Sequence, residues 1–231
     1  MPDRRDLAVV LQQSADTRSA DARRGILDAL VHTIALRGYD RTTIDRALAS
    51  ADVPAAVFEE HFEDKHDCLL AALEELIAGV QSAICERVPA SAPWSEQVRA
   101  GLKALLAALA GDPDGARVAF VECLGAGEAA SARVRRAIAS AIPIIEQGRL
   151  PEDGRRDGSG PCVPAPDAAH LPPQTSEAVV GGISAILHRR ILEGDTSQLP
   201  ALLPDLLYFA LMPYRGHEYA LAAYESAAAS V

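Results

Sequence analysis

The chain has 231 residues, 49% apolar and 23% charged, with a formal net charge of −10 at pH 7. This is the composition of a globular protein long enough to bury a sizeable core. Its acidity excludes a nonspecific nucleic-acid binder but leaves room for a small DNA-binding module with local contacts. Alanine is abundant and aromatics are only 4% of the chain, so helix is the expected element.

Residues 1–20 are polar apart from a short apolar patch and read as a flexible tail. A helical stripe begins at Asp21 with Ile26, Leu27, Leu30 and Ile34 on one face, and Gly38 is placed to end it. Thr42-Thr43 offers an N-cap for a second helix, whose apolar positions Ile44, Ala47, Leu48 and Ala51 follow helical spacing. Asp52-Val53 forms a tight turn, and Pro54 suits the first turn of a short third helix with Phe58 and Phe62 on one face. Asp64 caps a longer fourth helix. Further helices are expected over residues 93–110, from Pro113 to the Gly125-Ala126-Gly127 stretch, and over 128–149 with a kink at Pro143. The Gly- and Pro-rich segment 150–173 must be a loop. Helix returns over 174–193, 197–212 and 217–229, and no sustained strand pattern is present. The expected fold is therefore all-α, with a three-helix N-terminal unit (21–68) leading through a long helix into a larger helical bundle (69–231).

Two helices joined by a tight turn, the second short and braced by a first, match helix-turn-helix geometry, in which the last helix enters the major groove. Periodicity alone leaves open the alternative of three ordinary core helices. The stretch Gly38-Tyr39-x-x-Thr42-Thr43, then Ala51-x-Val53, then Phe58-x-x-His61-Phe62-x-x-Lys65 resembles the N-terminal signature of the TetR family of transcriptional regulators, in register from residue 24 to 72. Pro93-Trp94, Phe120-Val121-Glu122, Val180-Gly181-Gly182-Ile183, Arg189 to Gly194 and Leu203 to Tyr214 are similar to TetR-like regulators of high-GC actinobacteria. The resemblance implies an all-helical homodimer. Its head would bind a palindromic operator in double-stranded DNA, and its larger domain would bind a small, largely apolar effector that releases the DNA.

Thr42 and Thr43 stand at a helix N-terminus, where hydroxyls, free N–H groups and the dipole can hold a phosphate, a role compatible with simple capping. The resemblance makes Lys65 a second phosphate contact, keeps His61 as part of the signature, and leaves Arg41 to add a backbone contact. Arg18, Arg23 and Arg24 read as solvated. The groove-facing positions are Ala55, Ala56, Val57 and Glu59, opened by Pro54. They depart from the family pattern. Pro54 stands for a serine, Asp52 for the turn glycine, Ala56 and Val57 for glycine and threonine, and Glu59 for a near-standard tyrosine. Apolar groups there can touch a thymine methyl, and Glu59 can accept from cytosine N4 but is repelled by phosphate.

In the larger domain, Gly181 and Gly182 with Leu199, Leu202, Leu203 and Leu206 suggest a four-helix dimer interface, two helices from each chain. Packing within one chain is the alternative. Trp94, Phe120, Glu122, Cys123, His188, Tyr208 and Met212 are candidate pocket linings, each also readable as ordinary core. The cysteines Cys68, Cys85, Cys123 and Cys162 form no C-x-x-C pair and have no His cluster beside them, so no metal or cofactor is expected. No run reaches the roughly 18 apolar residues of a membrane span, the N-terminus is not a signal peptide, and a cytoplasmic protein is expected. The leading expectation is a dimeric, effector-responsive repressor. The alternative is a ligand-binding or protein-interaction module of the same fold with weakened DNA binding. No nucleophile–base spacing supports an enzyme.

Overall fold

A computed structural model describes residues 4–150 and 168–230, with side chains from Thr17 onward. Among them there is no strand. The helices are α1 (Arg4–Arg37), α2 (Ile44–Ala51), α3 (Ala55–Glu59), α4 (Lys65–Arg87), α5 (Trp94–Gly111), α6 (Pro113–Phe120), α7 (Glu128–Ala139), α8 (Ile142–Glu146), α9 (Thr175–Glu193), α10 (Leu203–Arg215) and α11 (His217–Ala228). The all-α expectation holds, and the start and end signals explain most boundaries. Gly38, at φ 86°, ends α1 by donating its N–H to the Ile34 carbonyl at 2.8 Å. Asp64 caps α4 through the Asp67 N–H at 2.8 Å, and Asp112 caps α6 through the Gly115 N–H at 2.9 Å, with Pro113 beside it in the first turn.

Four expectations need correction. The first helix starts at Arg4 rather than Asp21. The kinked helix expected over 128–149 is instead two helices, because Pro143 sits in the first turn of a new one, α8. The helix expected to begin at Ser197 starts as a 3₁₀ segment, Thr196–Leu202, and turns α-helical only at Leu203. The run from Pro113 ends at Phe120, and a 3₁₀ turn, Glu122–Leu124, follows. Most of the loop expected over 150–173 lies outside the described residues; Ala168–His170 forms a 3₁₀ turn.

Two apolar clusters hold the chain together. One gathers Ile26, Leu30 and Ile34 of α1, Leu48 of α2, Phe58 and Phe62 around α3, and Leu69 and Leu73 of α4. It also takes in Val118, Cys123, Ala130 and Val134 from α6, the 3₁₀ turn and α7, so the head shares its core with the body. The other is built on Trp94, Leu106, Leu187, Leu199, Leu207 and Tyr214. Each fully buried leucine stabilises by about 1.5–3 kcal/mol relative to exposure. Among the described residues only α4 is long and apolar enough, by length and composition, to cross a membrane. In the folded chain it is the spine between head and body, packed on α1, α5 and α7 with Cys68, Leu69, Ala72 and Leu73 buried. Burial pushes the Cys68 thiol up to about 12 and the Cys123 thiol to about 11, so both stay protonated and inert.

Candidate nucleic-acid interface and head–body junction

The turn between α2 and α3 depends on Asp52, which lies in the left-handed region at φ 53°, ψ 38°. It is the one non-glycine residue with positive φ among those described. Asp, standing where the family pattern has a glycine, tolerates this region better than most residues. Val53 N–H returns to the Leu48 carbonyl at 3.1 Å and closes the turn. Pro54 then occupies the N-cap of α3 in extended conformation, one place before the helical turn expected for it. Phe58 and Phe62 point inward, 6% exposed each, with ring centroids 5.6 Å apart. That leaves Pro54, Ala55, Ala56 and Glu59 exposed and Val57 and His61 half-buried.

Thr42 and Lys65 face elsewhere than the sequence suggests. Thr42 is 1% exposed, and its hydroxyl donates inward to the Gly38 carbonyl at 2.9 Å and the Thr33 carbonyl at 3.3 Å. Its side chain therefore has no surface to offer a phosphate. Thr43 holds the N-cap position in extended conformation, is exposed, and its hydroxyl makes no cap hydrogen bond. Lys65 lies 4.0 Å over the Tyr39 ring and donates to the Tyr39 and Thr42 carbonyls, both at 2.9 Å. It ties the α1–α2 turn to α4 and has one donor left, since an ammonium carries three. Burial first, then the Asp64 and Asp40 carboxylates, raises the Tyr39 phenol above its ordinary value.

Arg23, read as solvated, is packed. Its guanidinium stacks 5.4 Å from the Phe62 ring centre and pairs with Glu75 of α4. Arg46, which the sequence reading passed over, is exposed on α2 and donates to the Arg41 carbonyl at 3.3 Å, beside exposed Arg41. Its place three residues after Thr43 is the signal that could have found it. Against these two cations the surface from Asp52 to Asp64 exposes Asp52, Glu59, Glu60, Glu63 and Asp64.

Most of the pocket candidates are taken up by packing or polar contacts within the chain. Trp94 donates its indole N–H to the Ile144 carbonyl at 2.8 Å and lies between Tyr214 and Arg215. Cys123 is in the head core with its thiol on the Ala119 carbonyl. Tyr208 pairs with His217 at 2.9 Å, and Met212 is 40% exposed on the outside of α10. His188 Nδ1 lies 2.7 Å from the Phe120 carbonyl. Glu122 turns to the head, where its Oε2 accepts the Tyr39 N–H at 3.2 Å while Oε1 lies 3.4 Å from Arg117. Leu199, Leu203 and Leu206 are buried within the chain and Leu202 half-buried, so these leucines pack internally. Gly181 is exposed, and Gly182 seats the Phe209 ring so closely that an added Cβ would lie 2.9 Å from it.

A cleft of about 640 Å³ opens instead where head meets body. Leu27 and Val31 of α1, Ala72 and Leu76 of α4, and Leu109 and Ala116 near the α5–α6 corner line it. His32 of α1 spans its edge to Asp114 of α6 at 2.7 Å. Nothing in the sequence pattern signals this cleft, because its walls come from three segments far apart in the chain. Among the described residues no group of His, Cys, Asp and Glu has the arrangement of a metal site.

The short exposed helix after a left-handed turn, braced on a long first helix, defines a helix-turn-helix head on an all-helical body. Three solved structures share this architecture. The transcriptional regulator FadR from Bacillus subtilis, in complex with stearoyl-CoA, matches with a TM-score of 0.64 at 18% identity, over 84% of this chain and 98% of its own. A bacterial regulatory protein of the TetR family from Rhodococcus RHA1 gives 0.64 at 20% identity, over 84% and 96%. Full-length TylP, a TetR regulator from Streptomyces fradiae, gives 0.59 at 16% identity, over 91% and 99%. No family model and no curated protein matches the chain. The chain has the fold of the TetR-family transcriptional regulators.

Proposed function

We propose that the protein is a dimeric, effector-responsive DNA-binding regulator, acting in the cytoplasm as a repressor on a palindromic operator and having no enzymatic activity. The observation that carries this reading is the presentation of α3: its aromatic residues are sunk in the head core while Ala55, Ala56 and Glu59 stand free beside exposed Thr43, Arg41 and Arg46. In this reading Thr43 and the arginines hold phosphates, the alanines and Val57 touch thymine methyls, and Glu59 accepts from a cytosine. Lys65 and Thr42 shape the head rather than lead the contact. Effector coupling would run through the junction, where Glu122 of the body holds the Tyr39 N–H of the head.

The acidic surface around α3 favours a second reading, in which the same fold binds ligand or protein partners and DNA binding is lost. One measurement separates the two: fluorescence anisotropy of the purified chain with the DNA upstream of its own coding sequence, from about 50 to 200 mM salt. The regulator reading expects a sequence-selective complex that weakens with salt. Absence of any complex at the lowest salt, without effector, removes it.

A further inference from the structure

We infer that the cleft between α1, α4 and the α5–α6 corner is a binding site for a small organic cation with an apolar body, set at the joint between head and body. Its volume of about 640 Å³ lies within the range of small-molecule sites. The floor is apolar: Leu27, Val31, Ala72, Leu109 and Ala116 are all buried. The rim carries Asp28, Glu75, Asp112 and Asp114 against Arg24 and His32. The lining thus sets four carboxylates against one arginine and one histidine, and Arg23, pairing with Glu75 from outside the lining, offsets one carboxylate more. Asp28 has no hydrogen-bond or ion-pair partner among the described residues. An apolar anion would be repelled by this rim, whereas a cation on an apolar body matches both its excess of carboxylates, of which exposed Asp28 is the one left without a protein partner, and its apolar floor. The chain's net charge of −10 further concentrates cations near it.

The cleft's walls belong to both halves: α1 and α4 carry the head, and the corner around Asp112 belongs to the body. An occupant there sets the distance between them, beside the His32–Asp114 contact. The effect on DNA rests on the regulator reading above; the binding itself does not. Gly79 of α4 lines the cleft, and a Cβ added to it meets nothing within 4 Å, so Gly79→Leu starts from open space, carries apolar bulk to the opening and replaces a poor helix former with a good one.

The test is isothermal titration calorimetry of the full chain with tetraphenylphosphonium and with tetraphenylborate, ions of matched shape and opposite charge. The phosphonium is expected to bind saturably, about tenfold or more tighter than the borate. Its affinity should fall about three- to fivefold in Asp28→Asn and in Asp114→Asn, and binding should vanish in Gly79→Leu. Equal binding of the borate, or phosphonium binding unchanged in Gly79→Leu, overturns the site. In the anisotropy assay the phosphonium should weaken the complex of the wild type but not that of Gly79→Leu. A DNA complex indifferent to bound phosphonium overturns the coupling. Phosphonium binding lost in Gly79→Leu, with no DNA complex at any salt, upholds the site and removes the regulator reading instead.

Discussion

Asp52 at φ 53° marks the point where the backbone of a single residue sets the angle between α2 and α3. A non-glycine L-residue in this region costs about 1–2 kcal/mol, less for Asp. Asp52→Gly is therefore expected to stabilise the head slightly, by about 0.5 kcal/mol. Asp52→Val should destabilise it by about 1–2 kcal/mol, both read by denaturant unfolding. A destabilising Asp52→Gly would mean that the aspartate side chain, not the turn, carries the position. Glu59 poses a functional question. It is exposed on α3, and if the regulator reading holds, Glu59→Gln should raise affinity for nonspecific DNA about threefold and steepen the salt slope by about one. Unchanged affinity would show that Glu59 faces away from the groove. Lys65 shows why residue roles were harder to read than positions. Its place at the start of α4 was legible, but its two carbonyl partners lie 26 and 23 residues away in the chain.

The elements α6 and the 3₁₀ turn after it are where body and head are fastened. Glu122 spends one oxygen on Arg117 and the other on the Tyr39 N–H, and nearby Phe120 offers its carbonyl to His188 of α9. Helix α9, this turn and the α1–α2 turn are thus joined by polar contacts. Losing a part-buried hydrogen bond to a charged acceptor costs about 1.5–3 kcal/mol. Glu122→Ala should therefore speed amide exchange at Tyr39 about tenfold or more, and Glu122→Gln, which keeps an acceptor, should restore most of the protection. Exchange at Tyr39 that is indifferent to both would show that Lys65, Thr42 and the backbone bonds hold the turn without Glu122. The sequence made the helices of the head legible because Ile26, Leu30, Ile34, Phe58 and Phe62 repeat at helical spacing and caps stand at their ends. Glu122 was singled out but given to a pocket, since periodicity places a residue on an element and says nothing of which neighbour that element meets. Pro143 likewise marked a disturbance whose form, break or kink, local pattern does not decide.

At the scale of the whole molecule the question is what covers the outer face of the body. The leucines expected to form a dimer surface are consumed by the chain's own core, Leu199 and Leu206 being 0% and 1% exposed. What remains outside is a different stripe. Gly181 and Ala185 on α9 are exposed, and on α10 Phe209 and Met212 are 39% and 40% exposed at neighbouring turns. Phe209 lies on Gly182, so the aromatic ring is laid across α9 rather than projecting from α10. Small residues on one helix beside aromatic and thioether side chains on the next let a second copy approach closely across a two-fold axis, each stripe meeting its counterpart. An interface of standard size needs about 800 Å² from each partner, and its fully buried centre carries most of the energy. Met212→Glu, placed on this exposed stripe and away from the core, should leave helix content unchanged by circular dichroism and shift the sedimentation coefficient to that of a 24.4 kDa monomer. Under the proposed regulator function, the same substitution should weaken operator binding, because two heads on one palindrome would bind with an effective concentration that separate chains lack. A folded Met212→Glu protein that sediments as the wild type does would move the dimer surface away from α9 and α10, or show that the wild type is itself a monomer.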